Sequence, residues 1–493
     1  MQKKQTILVV ASLLLVVLSV TLAYFTAQII GKGKDVSVSS ADLKIIFTDS
    51  DGAISGSNIE PGWSDTKTFT VENNSKSEYK YNIVIKDLLN TFVTNGYLQY
   101  KITSTNGGYN MTEFKDVPKS SVATDTILAY SVVIPNGVTQ SYTIEFKYVN
   151  DESVDQSDDM GKKLSGKLFI TEGTEDPNKT LYNQLLADKS TKLTRTDFST
   201  VLTTNNTKTL YTGVEDSKTV YYFAGNATDN WVKFGKDANN QDLYWRIIRT
   251  NSDGSVRLLY HGTSTTATDA YIGTSKFNSS YNNIAYVSYM YGNLGSVANA
   301  RENTTDSTIK TIIDKWYKDN LNTNYGKYLS TTAVYCNDRS TSDNAYFGAY
   351  TRLITNKTPS YDCAATEDKF TVDSTVGNGK LTYQIALMTA DEVSFAGGVY
   401  GTNAPTWYYY NSANGSSTGS TWWWLLSPNF WDGSRAGVFF VGGSSFPGSF
   451  SGDYVGNTGN VRPAISLKSC IKYSTGNGSA SDPYTIKETS SGC

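Results

Sequence analysis

The chain has a single histidine, His261, and four cysteines, Cys336, Cys363, Cys470 and Cys493. One imidazole cannot build the two-histidine zinc motif HExxH or a Cys/His zinc finger. A Ser–His–Asp triad would have to use His261. The thiols show no CxxC spacing, so they read as two disulfides rather than as a four-thiolate metal site. Four cysteines allow three pairings, among which sequence alone does not choose. The sequential one, Cys336–Cys363 and Cys470–Cys493, closes two loops, each stabilising by roughly 3–4 kcal/mol through loop entropy. Asp49-Ser-Asp51-Gly52 resembles the start of a calcium loop, with Glu60 at the twelfth position. Ala53 and Ile54 stand at the fifth and sixth positions, where a ligand and the turn glycine belong, so the segment reads as a plain turn. No catalytic residue, metal ligand or cofactor is expected. The chain reads as a non-enzymatic protein.

Recognition chemistry is concentrated between Asn429 and Asn460, where Phe430, Trp431, Phe439, Phe440, Phe446, Phe450 and Tyr454 are spaced by glycine and serine. Rigid aromatic anchors among small adaptable polar residues are the composition of a binding face. The interval contains no Lys, Glu, Gln or Met. Candidate ligand contacts are Asn429, Phe430, Trp431, Asp432, Ser434, Arg435, Phe440, Ser444, Phe446, Phe450, Asp453 and Tyr454. Val438, Phe439 and Val455 are expected to face inward. The alternative is a flexible Gly/Ser loop, but a linker does not normally carry so many bulky rings.

These residues need a frame. Residues 36–173 alternate short apolar runs with turn residues, as in TKTFTVEN (66–73) and SYTIEFKYV (141–149). About seven such strands predict an antiparallel β-sandwich with Phe47, Phe69, Val71, Ile83, Val84 and Phe146 in its core. Residues 174–206 are polar and read as a linker with one short helix using Tyr182, Leu185 and Leu186. Beyond it the pattern is α+β. LYWRIIRT (243–250) and SVRLLYHG (255–262) flank an Asn251-Ser-Asp253-Gly254 turn, a hairpin signal. A helix capped by Asp306 or Ser307 is predicted to bury Ile309, Ile312, Ile313, Trp316 and Leu321. Thr389-Ala-Asp-Glu392 is a capping box. At least two of Trp422–Trp424 should be core. Arg462-Pro463 should lead into a terminal strand, with Arg462 bonding a turn or a carboxylate.

At 493 residues and a net charge of −3, the chain has material for about two to four domains and no basic cluster that would favour nucleic acid. Lys3 and Lys4 precede an uncharged apolar run from Ile7 to Ala23. Basic flank, apolar run and small residues at Thr21 and Ala23 read as an export signal, cut by a signal peptidase between Ala23 and Tyr24. The alternative is an uncleaved signal anchor. The expected location is the cell surface or the exterior.

Residues 24–173 resemble the TasA/camelysin family of Gram-positive surface and biofilm proteins. The resemblance rests on the Ala23-Tyr24-Phe25 junction, Ala41-Asp-Leu43 and IEPGWSDTKTFTVENNS (59–75). It implies a β-sandwich and, as in some relatives, self-association through that domain. Residues 207–493 are similar to C-type-lectin-like domains of Firmicute surface proteins, some of them targets of diversity-generating retroelements. The matching segments are YWRIIR (244–249), the 309–321 helix, IALMTADEV (385–393), WWWLLSP (422–428) and VRPAISL (461–467). This resemblance implies a ligand-binding head with 429–460 as its variable region. Adenine-directed mutagenesis of Asn-type codons cannot yield Lys, Glu, Gln or Met, nor tryptophan, so Trp431 would be template-fixed. The expected function is an adhesin- or receptor-like surface protein whose partner is a protein or a glycan. The alternative is a structural matrix or fibre subunit. Formylglycine-generating oxidases share the lectin-like fold but need a reactive cysteine pair, and the four cysteines here are better explained as structural.

Overall fold

The computed structural model describes residues 36–37, 43–47, 52–55, 59–204, 207–268, 270–341, 345–405, 422–443 and 445–493. The expected export signal with Ala23 and Tyr24, Asp49 and Asp51, the side chain of Phe47, the TWYYY run (406–410) and Ser444 lie outside the described residues. The fold is mostly β, in two compact units that divide between Pro177 and Asn178.

The first unit places a six-stranded and a four-stranded sheet, both antiparallel, around one core. Strand Thr139–Tyr148 shows the cause: Gln140, Tyr142, Ile144, Phe146 and Tyr148 are buried while the residues between them face outward. Strand Tyr79–Asn90 buries both faces over Tyr81–Ile85. Phe69, Val71, Ile83, Val84 and Phe146 all lie in this core, as their alternation predicts. One polar cluster is enclosed with them. Tyr81 Oη donates to Gln140 Oε1 at 2.7 Å and lies 2.6 Å from Tyr142 Oη. Burial pushes the Tyr81 hydroxyl pKa far up, so it stays a neutral donor.

The second unit begins earlier than its sequence suggests. The predicted helix is present as Leu181–Asp188, with the Thr180 side chain accepting from the Asn183 amide at 3.1 Å. Leu181 and Leu185, however, are buried in the second core, and Thr191–Thr194 pairs in parallel with Thr209–Glu215 at the edge of that unit's larger sheet. Residues 178–204 are therefore part of the unit and not a linker. All four residues of the edge strand are exposed, so no apolar alternation marks it.

The ten-stranded sheet is built on the predicted hairpin of Asp242–Thr250 and Val256–Gly262. Its ladder continues through Pro463–Leu467 to Ile385–Leu387, with Ile465 paired to both Leu258 and Ile385. Helix Thr308–Asn320 takes Ser307 as its cap and buries Ile309, Ile313 and Tyr317 against this core, with Leu321 after them. Ile312 faces outward and Trp316 is only half-buried, because a 100° step carries both past the core-facing edge of the helix. Strand Trp423–Trp431 lies in a second sheet of five strands, hydrogen-bonded to Ala436–Val441, which pairs in turn with Phe450–Tyr454. Trp423 and Trp424 are both buried, and Trp424 Nε1 donates to the Ser275 carbonyl at 2.9 Å. Arg462 Nε donates to the Tyr260 carbonyl of a neighbouring strand at 2.8 Å. The disulfides are sequential, Cys336–Cys363 and Cys470–Cys493.

Truncating either fully buried Ile465 or Trp423 to alanine leaves a cavity in the second core. Each change should destabilise the second unit by about 2–5 kcal/mol, read as a lower denaturation midpoint, with the first unit's transition unmoved. A shift in the first unit's transition as well would show that the two cores are not independent.

Candidate functional site

The frame of the second unit closes on one carboxylate. Helix Ala390–Phe395 starts at the predicted capping box: Thr389 Oγ1 accepts from the Glu392 amide at 3.1 Å, and Glu392 Oε2 accepts from the Thr389 amide at 3.0 Å. The other oxygen, Glu392 Oε1, accepts from Arg249 Nε at 2.9 Å and from Arg257 Nη1 at 2.6 Å. Arg249 Nη2 continues to Glu215 at 2.8 Å. All four side chains are buried. Burial works to raise the Glu392 pKa, but the two guanidiniums outweigh it and hold the carboxyl below its ordinary value.

The preceding residue, Asp391, points to a different partner. Arg352 forks onto it, Nη2 to Oδ2 at 2.8 Å and Nε to Oδ1 at 3.1 Å, and gives Nη1 to Asp338 at 2.6 Å. Burial works to raise the Asp338 pKa, but the Arg352 charge together with hydrogen bonds from Ser340 and Arg352 brings it below the ordinary value. Arg352 belongs to the segment between Cys336 and Cys363, so disulfide and ion pairs hold the same stretch of chain. That stretch lies against the end of strand Trp423–Trp431. The Phe347 amide donates to the Asn429 carbonyl at 3.1 Å and the Trp431 amide to the Ala345 carbonyl at 2.7 Å.

Between the two segments lies an open cleft of about 270 Å³. It is lined by Asn429, Phe430, Trp431, Asp432 and Tyr454 and by Ala345, Tyr346, Tyr350 and Tyr400. Tyr346 and Tyr350 stack at 3.7 Å between ring centroids, and Phe430 meets Tyr454 edge-on at 5.4 Å. The Arg435 guanidinium sits 3.9 Å over the Tyr454 ring. Two glycines make room for these side chains. A β-carbon at Gly437 would overlap the Phe430 ring, and one at Gly452 would stand 2.6 Å from Asn429 Cγ. Asp432 serves its own turn, accepting from the Ser434 amide at 2.9 Å, the Ser434 hydroxyl at 2.9 Å and the Arg435 amide at 2.6 Å. The Ser434 amide bond, with smaller help from the Ser434 hydroxyl, the Arg435 amide and the Arg435 charge, brings its pKa down to about 2.

The structure thus gathers five of the twelve candidate ligand contacts into one cleft and disposes of the rest differently. Phe450 is a correction: it is 1% exposed, packed near Tyr400 and Phe439 as core. Asn429 lines the cleft but is itself buried. Phe440 packs on Trp422 at 5.1 Å, outside the cleft. Asp453 accepts from the Tyr454 amide and Asn457 Nδ2, which uses it for a local turn. Ser434, Arg435 and Phe446 are exposed, Phe446 at 64%. Val438, Phe439 and Val455 face inward as predicted. Sequence reasoning missed the rest of the lining, Tyr346, Tyr350 and Tyr400. The spacing of four between the first two was the one local signal for it.

Asn429 is the anomaly of the site. It is 1% exposed, and among the described residues neither Oδ1 nor Nδ2 has a hydrogen-bond partner. A buried amide without partners destabilises its fold. Replacement by the similarly shaped leucine, Asn429→Leu, should therefore raise stability by about 1–3 kcal/mol, read from the denaturant midpoint. A loss comparable to that of Ile465→Ala would mean that the amide supports the fold.

Comparison of the chain with protein-family models, with curated proteins and with solved structures finds no match to any of them.

Proposed function

We propose that this chain is a non-enzymatic binding protein of the cell surface or exterior, its second unit a display head whose ligand seat is the 429–454 cleft. One observation carries this reading. Within a single interval Val438, Phe439 and Val455 turn into the core, while Phe430, Trp431 and Tyr454 stay partly exposed around an open cleft. A rigid frame with replaceable aromatic side chains on one face is what a recognition surface requires. Two disulfides fit an oxidising compartment. The TasA/camelysin resemblance of residues 24–173 makes that unit a stalk, and the retroelement resemblance makes 429–460 the variable region. Under this reading the export signal cut at Ala23–Tyr24 delivers the protein, and its partner is a protein or glycan outside the cell.

Trp431→Ala, Phe446→Ala and Tyr454→Ala should each leave stability within about 1 kcal/mol. At least one should weaken ligand binding by about 2 kcal/mol or more. A thermal melt of each variant, paired with binding to arrayed proteins and glycans, checks both halves. If the three variants melt as badly as Trp423→Ala, the rings are core and the reading fails. Electron microscopy of the purified protein supplies the other arm: single particles agree with a display head, and ordered fibres would favour the structural subunit.

A further inference from the structure

We infer that the Lys310 side chain joins the Asp314 side chain in an amide bond, a self-made covalent ring across one turn of helix Thr308–Asn320. The lysine is wholly buried, and its Nζ stands 2.6 Å from Asp314 Oδ2 and 3.2 Å from Asp306 Oδ1. Residues four apart on a helix are neighbours, so amine and carboxyl meet across a single turn. Lys315 and Asp319 repeat that spacing in the same helix, but both are exposed and form an ordinary surface pair. Burial sets the first pair apart. Asp314 is only 14% exposed, and its second oxygen, Oδ1, has no hydrogen-bond partner among the described residues. Tyr289 is wholly buried with an unpartnered hydroxyl, kept neutral first by burial and then by the charges of Asp314 and Asp306.

The cluster supplies what amide formation needs. Burial lifts the Asp314 pKa above its ordinary value against the pull of the Lys310 charge, and Asp306 adds to the lift. That favours the protonated carboxyl, the form an amine attacks. Asp306 serves as the proton shuttle. It takes one proton from the Lys310 ammonium, and the freed electron pair forms the N–C bond to Asp314 Cγ. It passes that proton to the departing hydroxyl, so the C–O bond breaks and water leaves. It then takes a second proton from the nitrogen and releases it to solvent, which its 40% exposure allows. No oxidant or co-reactant is required. The fold holds the reactants in contact, and a neutral amide ends the cost of keeping a charged pair out of water.

A second buried lysine shows which feature decides. Lys189 stands 2.9 Å from Asp229 Oδ2, and Asp229 Oδ1 is likewise unpartnered. Among the described residues no second carboxylate pairs with that amine, so it lacks the shuttle and stays unjoined. The ring at Lys310 pins the first turn of the helix that sends Ile309, Ile313 and Tyr317 into the core. Fraying at that end then requires a covalent bond to break.

The test is tandem mass spectrometry of the full-length protein, reduced and digested with trypsin. The joined side chains should give one peptide, residues 302–315, lighter than its sequence by one water and uncut after Lys310. Breaking its backbone between Lys310 and Asp314 should release no fragment, because the ring holds both ends. Lys310→Arg should restore the full mass and cutting at that position. Asp306→Asn, which leaves amine and carboxyl in place, should lower the joined fraction of freshly purified protein about tenfold or more. Peptides 302–310 and 311–315 at full mass in the parent overturn the inference. So does a dehydrated peptide still cut after Lys310, which is a succinimide formed at an aspartate. An undiminished joined fraction in Asp306→Asn, or a water lost between Lys189 and Asp229, overturns the part given to Asp306.

Discussion

The second unit depends on the buried carboxylate of Glu392. Taking an ion out of water costs several kcal/mol, and the charge is tolerable only because two guanidiniums and one backbone amide surround it. Those partners come from far apart in the chain: Arg249 and Arg257 from the central hairpin, Thr389 from the helix cap. Satisfying the charge therefore fixes the helix against the sheet in one register, since any slip leaves ions unpaired in the interior. Asp391, next in the same helix turn, extends the constraint through Arg352 to the segment that carries Tyr346 and Tyr350. The Ser427 hydroxyl, accepting from the Ala390 amide at 3.0 Å, ties the same helix to strand Trp423–Trp431. Both walls of the cleft thus hang from one short helix.

This arrangement explains how a site can carry an unfavourable group. An unpartnered amide at Asn429 lowers stability, yet the Cys336–Cys363 disulfide, the Arg352 fork and the two-sheet core over-determine the backbone around it. Local strain or unsatisfied polarity of this kind persists where the surroundings hold it. Gly437 and Gly452 belong to the same logic. Both sit in strands, where glycine is otherwise disfavoured, and both open space for a cleft side chain.

Much of the frame was legible in the sequence because it rests on local rules. The Thr389–Glu392 capping box, the Asn251–Gly254 hairpin turn, the alternation of the first unit and the inward turn of Val438, Phe439 and Val455 each follow from spacing within a few residues. What escaped depends on neighbours distant in sequence. Thr191–Thr194 is a strand only because Thr209–Glu215 lies beside it, and no apolar pattern announces an exposed edge. Phe450 was indistinguishable from Trp431 by composition; Tyr400 and Phe439 decide that it is core. The facing wall of the cleft reaches Asn429 and Trp431 through backbone bonds across some eighty residues, which no local spacing encodes.

The most direct test of this account is hydrogen exchange on Glu392→Gln beside the parent protein. Removing the charge leaves Arg257 and Arg249 without their common carboxylate, so the amides of Asp242–Thr250, Val256–Gly262 and Ala390–Phe395 should lose protection together. The amides of residues 345–356 should loosen with them, because Arg352 holds that wall to the same helix. Faster exchange confined to Ala390–Phe395, with the cleft wall as protected as in the parent, would contradict the claim that one buried carboxylate holds the site together.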